Sequence, residues 1–232
     1  MSERENILGR IREALRIAAP FPGEAHGPAH PSSAPHTPRS AAAHAREWLP
    51  RVGPGFDEQA SLFRTQCDDL KAAFRLLAGE GELAAAVRAL ATEKGWKKVA
   101  WHNAPLSRAA AEATGLPGME IREGYDVTEL ESCDAGITEC DALVAQTGSV
   151  LVTSRSAGGR ALSVLPPHHL VIARREQLLP DLPAAFELIA SKYGATPPSL
   201  LSFITGPSRT GDIERILVLG AHGPKELTIL CI

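Results

Sequence analysis

Residues Ser202–Lys225 read SFITGPSRTGDIERILVLGAHGPK, and the fold turns on how this stretch is divided. Two apolar runs, SFIT and ILVL, each end at a glycine, and the polar segment between them has room for one short helix. The expected order is strand Leu200–Thr205, turn, short helix Arg209–Arg215, strand Ile216–Gly220, turn. Ser208, Arg209 and Thr210 follow the first run, and His222 and Lys225 follow the second. In an open α/β sheet, ligands collect in the crevice outside the carboxyl ends of strands. The unpaired N–H groups at a helix start, with the positive end of the helix dipole, attract anions. Gly206 would allow close backbone approach, Ser208 or Thr210 could cap the helix, and Arg209 offers a bidentate fork. The stretch is therefore expected to form an anion-binding corner. In the competing reading Ser208 and Thr210 only cap, and Arg209 pairs with Asp212 or Glu214 on the surface. Such exposed pairs are worth about 0–1 kcal/mol.

An opposite wall is expected from Gln146–Arg160. Thr147, Gly148 and Ser149 supply two hydroxyls and a turn glycine. Ser154, Ser156, Gly158, Gly159 and Arg160 form a hydroxyl-rich loop, either a phosphate lid or a plain hairpin connection. His168 and His169 open the next apolar run. Adjacent strand residues point to opposite faces, so at most one of them reaches any given site. Gly206-Pro207-Ser208-Arg209-Thr210 is a near miss to the nucleophile elbow G-x-S-x-G. Thr210 stands where the last glycine belongs, and too little chain follows to deliver the acid and histidine in the usual order.

Around this stretch, short apolar runs alternate with helical patterns. Phe63, Cys67, Leu70, Phe74 and Leu77 step by three and four, which predicts one long helix ending at Gly79. Glu82–Lys94 and Leu106–Thr114 are helices closed by Gly95 and Gly115, and Pro180–Tyr193 is a helix closed by Gly194. Strands are expected at Lys97–Trp101, Met119–Arg122, Leu143–Ala145, Val150–Thr153, Leu170–Ala173 and Glu226–Cys231. Glu123–Ser132 reads as an acidic, irregular loop. The alternation implies a three-layer α/β/α sandwich with a mainly parallel sheet, antiparallel at the end of the chain, where only a short turn separates the last two strands. This domain is expected over 47–232. Before it come an amphipathic helix over 1–18 and a proline- and histidine-rich linker or arm over 19–46.

The chain has 232 residues, 44% apolar, with a net charge of −3. Three Trp, two Tyr and six Phe, with no basic run, give no nucleic-acid surface. Apolar runs are too short for a membrane span, and Glu3, Arg4 and Glu5 stand where a signal peptide needs an apolar core, so a soluble cytoplasmic protein is expected. Cys67, Cys133, Cys140 and Cys231 fit no disulfide, zinc or cluster spacing, and His26, His30, His36 and His44 are irregularly spaced. No metal and no cofactor is expected; the G-x-G-x-x-G, P-loop and H-E-x-x-H motifs are all absent.

Five segments in order, DAGITECDALVAQTGSVLVTS, GGRALSVLPPHHLVIA, LLPDLPAAF, SFITGPSRTGDIE and LGAHGPKEL, resemble the lactate-utilisation (LUD) domain family, most closely its LutC/YkgG-like branch. The resemblance covers about Trp48–Ile232. It implies a fold similar to the NagB/RpiA/CoA-transferase group and a part in oxidising L-lactate to pyruvate beside LutA-like and LutB-like iron–sulfur partners. Without a cluster motif, this chain would be the cluster-free subunit. Two positions depart from the family pattern: Gln146 replaces an acid, and Gly211 replaces an alanine. No catalytic residue carries over. The site expected here is a binding constellation for a small anion: Thr147, Gly148, Ser149, Arg160, Gly206, Ser208, Arg209, Thr210, His222 and Lys225. The alternative by fold analogy is a stand-alone small enzyme or sensor for an anionic metabolite such as a CoA thioester, sugar phosphate or folate. A homo-oligomer is compatible with either reading.

Overall fold

The computed structural model describes Glu5, Gly9 and Glu13, then residues 48–122, 125–210, 218–220 and 222–232. The chain divides into two compact units, Met1–Glu47 and Trp48–Ile232. In the first, Glu5, Gly9 and Glu13 are helical and exposed. The remainder of the helix expected over 1–18, and the arm over 19–46, lie outside the described residues.

The second unit is built on six strands: β1 (Ala73–Leu76), β2 (Val99–His102), β3 (Gly118–Ile121), β4 (Ala135–Glu139), β7 (His168–Ala173) and β12 (Glu226–Cys231). Their order is β1-β12-β7-β4-β2-β3, and every neighbouring pair is parallel. A second sheet of four strands, β8 (Leu178–Leu179), β5 (Ala142–Val144), β6 (Ser149–Thr153) and β9 (Leu201–Ile204), runs β8-β5-β6-β9. A two-stranded hairpin, β10 (Arg209–Thr210) with β11 (Val218–Leu219), completes the strands.

Burial on both faces explains why the central strands read as nearly continuous apolar runs rather than alternating ones. On one face α2 (Glu80–Lys94) and α3 (Pro105–Thr114) press Leu83, Val87, Leu90, Leu106 and Ala110 onto Ile137, Leu170, Ile172 and Leu230. On the other face lie α1 (Phe56–Leu70), through Phe63 and Cys67, and the second sheet, through Leu143, Val150 and Val152. They cover Val171, Ala173 and Ile229 of the main sheet. The mainly parallel α/β arrangement is thus the expected one, with a small sheet sharing a layer with helix α1.

Local signals set most element ends. α2 and α3 stop at Gly95 and Gly115, whose φ values of 66° and 67° suit glycine. α5 (Leu182–Tyr193) starts at Asp181, whose carboxylate accepts from the Ala184 N–H at 3.0 Å.

Three expectations are corrected. The helix expected from Phe63 to Leu77 ends at Leu70, and Lys71 turns left-handed with φ 64°. Ala73–Leu76 instead forms edge strand β1 on β12. Phe74 is buried in either state, so the three-and-four spacing could not separate them. The loop expected at Glu123–Ser132 contains a short helix, α4 (Val127–Glu131), capped by the Asp126 carboxylate on the Thr128 and Glu129 N–H groups. The end of the chain is not antiparallel: β12 runs parallel between β1 and β7, and the short turn after β11 leads in from the hairpin.

One glycine decides how closely the turn after β6 lies on the sheet. The 3-10 turn Ala161–Ser163 lies flat on the sheet over Gly136 of β4. A Cβ on Gly136 would come within 2.3 Å of the Leu162 carbonyl oxygen, a backbone atom that cannot rotate away. Gly136→Ala is expected to destabilise the protein by about 1–3 kcal/mol, read as a lower urea midpoint at unchanged m-value. Unchanged stability would mean the turn is free to lift from the sheet.

Candidate functional site

β7 starts directly after Pro166-Pro167, and its first two side chains diverge as strand alternation requires. His168 faces α2, edge-on to Trp96 at 5.0 Å between ring centroids, with Nε2 at 2.8 Å from Thr228 Oγ1. His169 faces the other side, Nε2 at 2.9 Å from Thr138 Oγ1. Its Nδ1 is buried and has no hydrogen-bond partner. Burial pushes His169 down to about 3, with a smaller contribution from His168. Burial likewise pushes His168 down to about 4, countered in part by Glu226. Both rings are therefore neutral at pH 7.

His169 forms the floor of a cavity of about 160 Å3. Leu227 is its register partner on β12; Ser163 and Val164 come from the turn over Gly136, Ile204 from the end of β9, and Gly206, Pro207, Ser208, His222, Gly223 and Pro224 from the hairpin side. Gly223 is needed for the fit, since a Cβ there would stand 3.0 Å from Ser208 Cβ. The hairpin is pinned by Gly220 N–H donating to the Ser208 carbonyl at 2.9 Å and by Ser208 N–H donating to the Pro224 carbonyl at 2.9 Å. Lys225 and Glu226 N–H both donate to the Pro167 carbonyl, at 2.8 and 3.2 Å, which ties the hairpin to the start of β7. Next to the cavity a cleft of about 460 Å3 is lined by Glu131, Val164, Leu165, Pro167, Gly220, His222, Gly223 and Lys225. His222 and Lys225 are exposed at its rim. Apolar walls, a neutral buried imidazole, two hydroxyls, and His222 with the Lys225 ammonium at the mouth suit a small molecule with an apolar body and an anionic end.

The expected constellation divides into three groups. Gly206, Ser208 and His222 line the cavity, and His222 and Lys225 line the adjoining cleft. Thr147, Gly148 and Ser149 line neither space. Thr147 Oγ1 and Ser149 Oγ are 2.8 Å apart, and Ser149 Oγ is 2.8 Å from Thr205 Oγ1. Gly148 (φ 63°) packs on Gln66 of α1 and Gly206 (φ 86°) on Leu70. Arg209 donates to the Leu70 carbonyl at the end of α1, where a cation complements the helix dipole. Thr210 pairs with Val218, and Arg160 is an exposed residue that lines neither space. The helix expected to begin at Arg209 does not begin there, since Arg209–Thr210 is strand β10; residues 211–217, with Gly211, lie outside the described residues. No helix N-terminus at Arg209 therefore supplies the donors. Relative to the main sheet the position is corrected too: this corner sits at the amino ends of β7 and β12, not outside their carboxyl ends, although it does follow the carboxyl end of β9.

Ser163, Val164 and His169 were not in the expected set. Strand alternation says that at most one of the two histidines faces a given site, but which face carries the hairpin is set by long-range packing. Gln146, where an acid was expected, donates its side-chain amide to the Pro50 carbonyl at 3.0 Å, a bond that a carboxylate could not donate. Among the described residues no group of three or more His, Cys, Asp or Glu is arranged to hold a metal ion. No helix among them is long and apolar enough to cross a membrane.

The LUD domain family model matches residues 84–232, and the chain belongs to that family. It is similar to Lactate utilization protein C of Deinococcus radiodurans, 29% identical over 136 residues, covering 54% of this chain and 63% of that protein. The protein of the same name from Bacillus subtilis is 32% identical over 117 residues, covering 49% of each. The one from Shouchella clausii is 29% identical over 189 residues, covering 75% of this chain and 82% of the relative. In the first two comparisons the chain thus spans about half to three fifths of the relative's length. A crystal structure of a DUF162 family protein from Deinococcus radiodurans has a TM-score of 0.61 to this fold at 22% identity, covering 77% of this chain and 99% of that one. At that identity the likeness concerns the fold alone.

The two buried histidines make stability depend on pH. Their folded values of about 3 and about 4 lie below the ordinary histidine value. The unfolded chain therefore binds more protons between that ordinary value, about pH 6.5, and the folded ones. Stability is full above this window and falls as pH drops through it, by up to about 1.4 kcal/mol per pH unit for each histidine. His169→Gln should flatten the slope of unfolding free energy against pH over this range. An unchanged slope would show that His169 is not held neutral.

Proposed function

We propose that this chain serves lactate utilisation as a cluster-free subunit or accessory protein of a cytoplasmic system that oxidises L-lactate to pyruvate. Its partners in this reading are LutA-like and LutB-like iron–sulfur proteins, and it needs no cofactor of its own. The observation that carries the proposal is membership of the LUD domain family, together with the name Lactate utilization protein C borne by relatives in several bacteria. The state of the thiols supports it. Burial pushes Cys67 up to about 12 and Cys231 up to about 11, and raises Cys133 and Cys140 as well. The thiolate, the form that ligates metals, is thus disfavoured in this fold.

The hairpin cavity is proposed as the binding site for a small carboxylate. Its apolar body would rest on Val164, Ile204 and Leu227, and its charge would face His222 and Lys225. A second reading, a stand-alone enzyme or sensor for an anionic metabolite, is favoured by one observation: a neutral buried imidazole, His169, shares the cavity with the Ser163 and Ser208 hydroxyls. Neutral imidazole is the form that accepts a proton.

Purifying the tagged full chain from lactate-grown source cells tests the first reading. The expected result is a brown eluate with two cluster-bearing partners and lactate-dependent dye reduction; a colourless protein recovered alone would favour the second. L-lactate or pyruvate at a hundred times its Kd should add about 2.7 kcal/mol of stability. Lys225→Ala should remove that gain and leave the ligand-free protein as stable as before. A gain that survives Lys225→Ala would move the carboxylate site away from the hairpin.

A further inference from the structure

The strand order reverses between β2 and β4. From β2 the chain steps outward to β3 at one edge, and from β4 the strands run the other way through β7 to β12. In open parallel sheets the ligand crevice lies outside the carboxyl ends of strands at such a switch point. Those ends are His102 of β2 and Glu139 of β4, far along the strands from the hairpin cavity at the amino ends. Glu139 is already engaged, accepting from the Leu106 and Ser107 N–H groups at the start of α3 at 2.8 and 3.4 Å. The loop after β6 folds over His102. Its Arg155 carbonyl oxygen is 3.2 Å from His102 Nε2, and a Cβ on Gly158 would come within 2.6 Å of His102 Nδ1.

Beside this loop opens a cleft of about 320 Å3, lined by Asp141, Arg155, Ser156, Lys192 and Tyr193. Asp141 is at its root, with a side chain only 1% exposed. Its Oδ1 accepts from Lys192 Nζ at 2.6 Å and from the Tyr193 hydroxyl at 2.5 Å, and its Oδ2 from Thr153 Oγ1 at 2.8 Å. Burial alone would raise its pKa, but the hydrogen bonds from Lys192, Tyr193, Ser156 and Thr153 hold it below the ordinary carboxylate value. Burial would lower Lys192 while Asp141 raises it, and the net shift is upward. Both groups of the pair are therefore charged.

A network that only fastened α5 to the second sheet would need one cation to match one carboxylate. Here there are two. Lys192 keeps 48% of its side chain exposed to the cleft side while bonded to Asp141, which leaves N–H donors unspent. Arg155 stands over the Tyr193 ring at 5.1 Å and donates to the Thr196 carbonyl at 3.1 Å. Among the described residues it pairs with no carboxylate. The cleft thus carries one positive charge in excess, on donors held in place by aromatic and hydrogen-bond contacts.

We infer that this switch-point cleft is a second ligand site, which takes a small metabolite by its oxyanion, carboxylate or phosphate, on Arg155 and Lys192. Asp141 acts there as a positioning residue: it fixes the Lys192 ammonium and the Tyr193 hydroxyl rather than meeting the ligand. The site is independent of the hairpin cavity and of the lactate reading.

The test is calorimetric titration of the full chain carrying Lys225→Ala, so that the hairpin rim is removed, with inorganic phosphate and with pyruvate as separate probes. Binding of either is expected, and Arg155→Ala added to it should raise the Kd at least tenfold in protein that is still folded at the titration temperature, with partial recovery in Arg155→Lys. Phosphate alone would assign the site to phosphorylated metabolites, and pyruvate alone to carboxylates. Arg155 is the residue to change, because Lys192→Ala would strand the buried carboxylate and cost stability for that reason alone. No heat with either probe at millimolar concentration, or a Kd indifferent to Arg155→Ala, would overturn the inference.

Discussion

The C-terminal strand is the keystone of this fold. β12 lies between β1 and β7 and pairs in parallel with both, so it alone joins edge strand β1 to the rest of the main sheet. Its register is set at the start, where the Lys225 and Glu226 N–H groups meet the Pro167 carbonyl. A slip of one residue would turn Leu227, Ile229 and Cys231 away from α1 and the second sheet and put Thr228 and Leu230 in their place. That register also places Leu227 beside His169 and holds the β10–β11 hairpin over it. The cavity is a by-product of the same ladder that completes the core.

The two candidate sites differ in the physics that makes them. The hairpin cavity is a gap in apolar packing. A glycine on β4 lets a backbone turn lie on the sheet, a glycine at 223 lets the hairpin approach Ser208, and a neutral histidine is left with one unbonded nitrogen. Its charge lies outside, on exposed rim residues. The switch-point cleft is the reverse: its cations are organised from within, by a carboxylate removed from water that accepts from three donors. Removing one partner of such a network leaves an uncompensated charge and costs far more than trimming a rim cation. Substitutions at the rims therefore report on binding, and substitutions at Asp141 report first on stability.

Most of the elements were legible because their causes are local. Gly95 and Gly115 end helices, Asp181 caps one, and the apolar runs of β7 and β12 are long enough to span a buried sheet. The alternation of His168 and His169 was legible too, since it follows from strand geometry alone. What misled was periodicity without context. Phe63 to Leu77 satisfies helical spacing throughout, yet Lys71 reverses the chain and Ala73–Leu76 joins β12, a partner more than 150 residues away that spacing does not reveal. Arg209–Thr210 likewise reads as a helix start and is a strand, its antiparallel partner supplied by Val218–Leu219.

Fold class, family and the ends of most helices were readable from the residues alone. These depend on neighbours within a turn or two of chain, or on segments that can be matched in order. Long-range packing settles which end of the sheet the hairpin cavity occupies, which histidine faces it, and that Asp141, Arg155, Lys192 and Tyr193 meet at all. Asp141 and Lys192 come from different layers, and their approach depends on how the second sheet packs against α5. A buried charge network of that kind leaves no periodic mark on the chain, because its partners are brought together by packing and not by spacing.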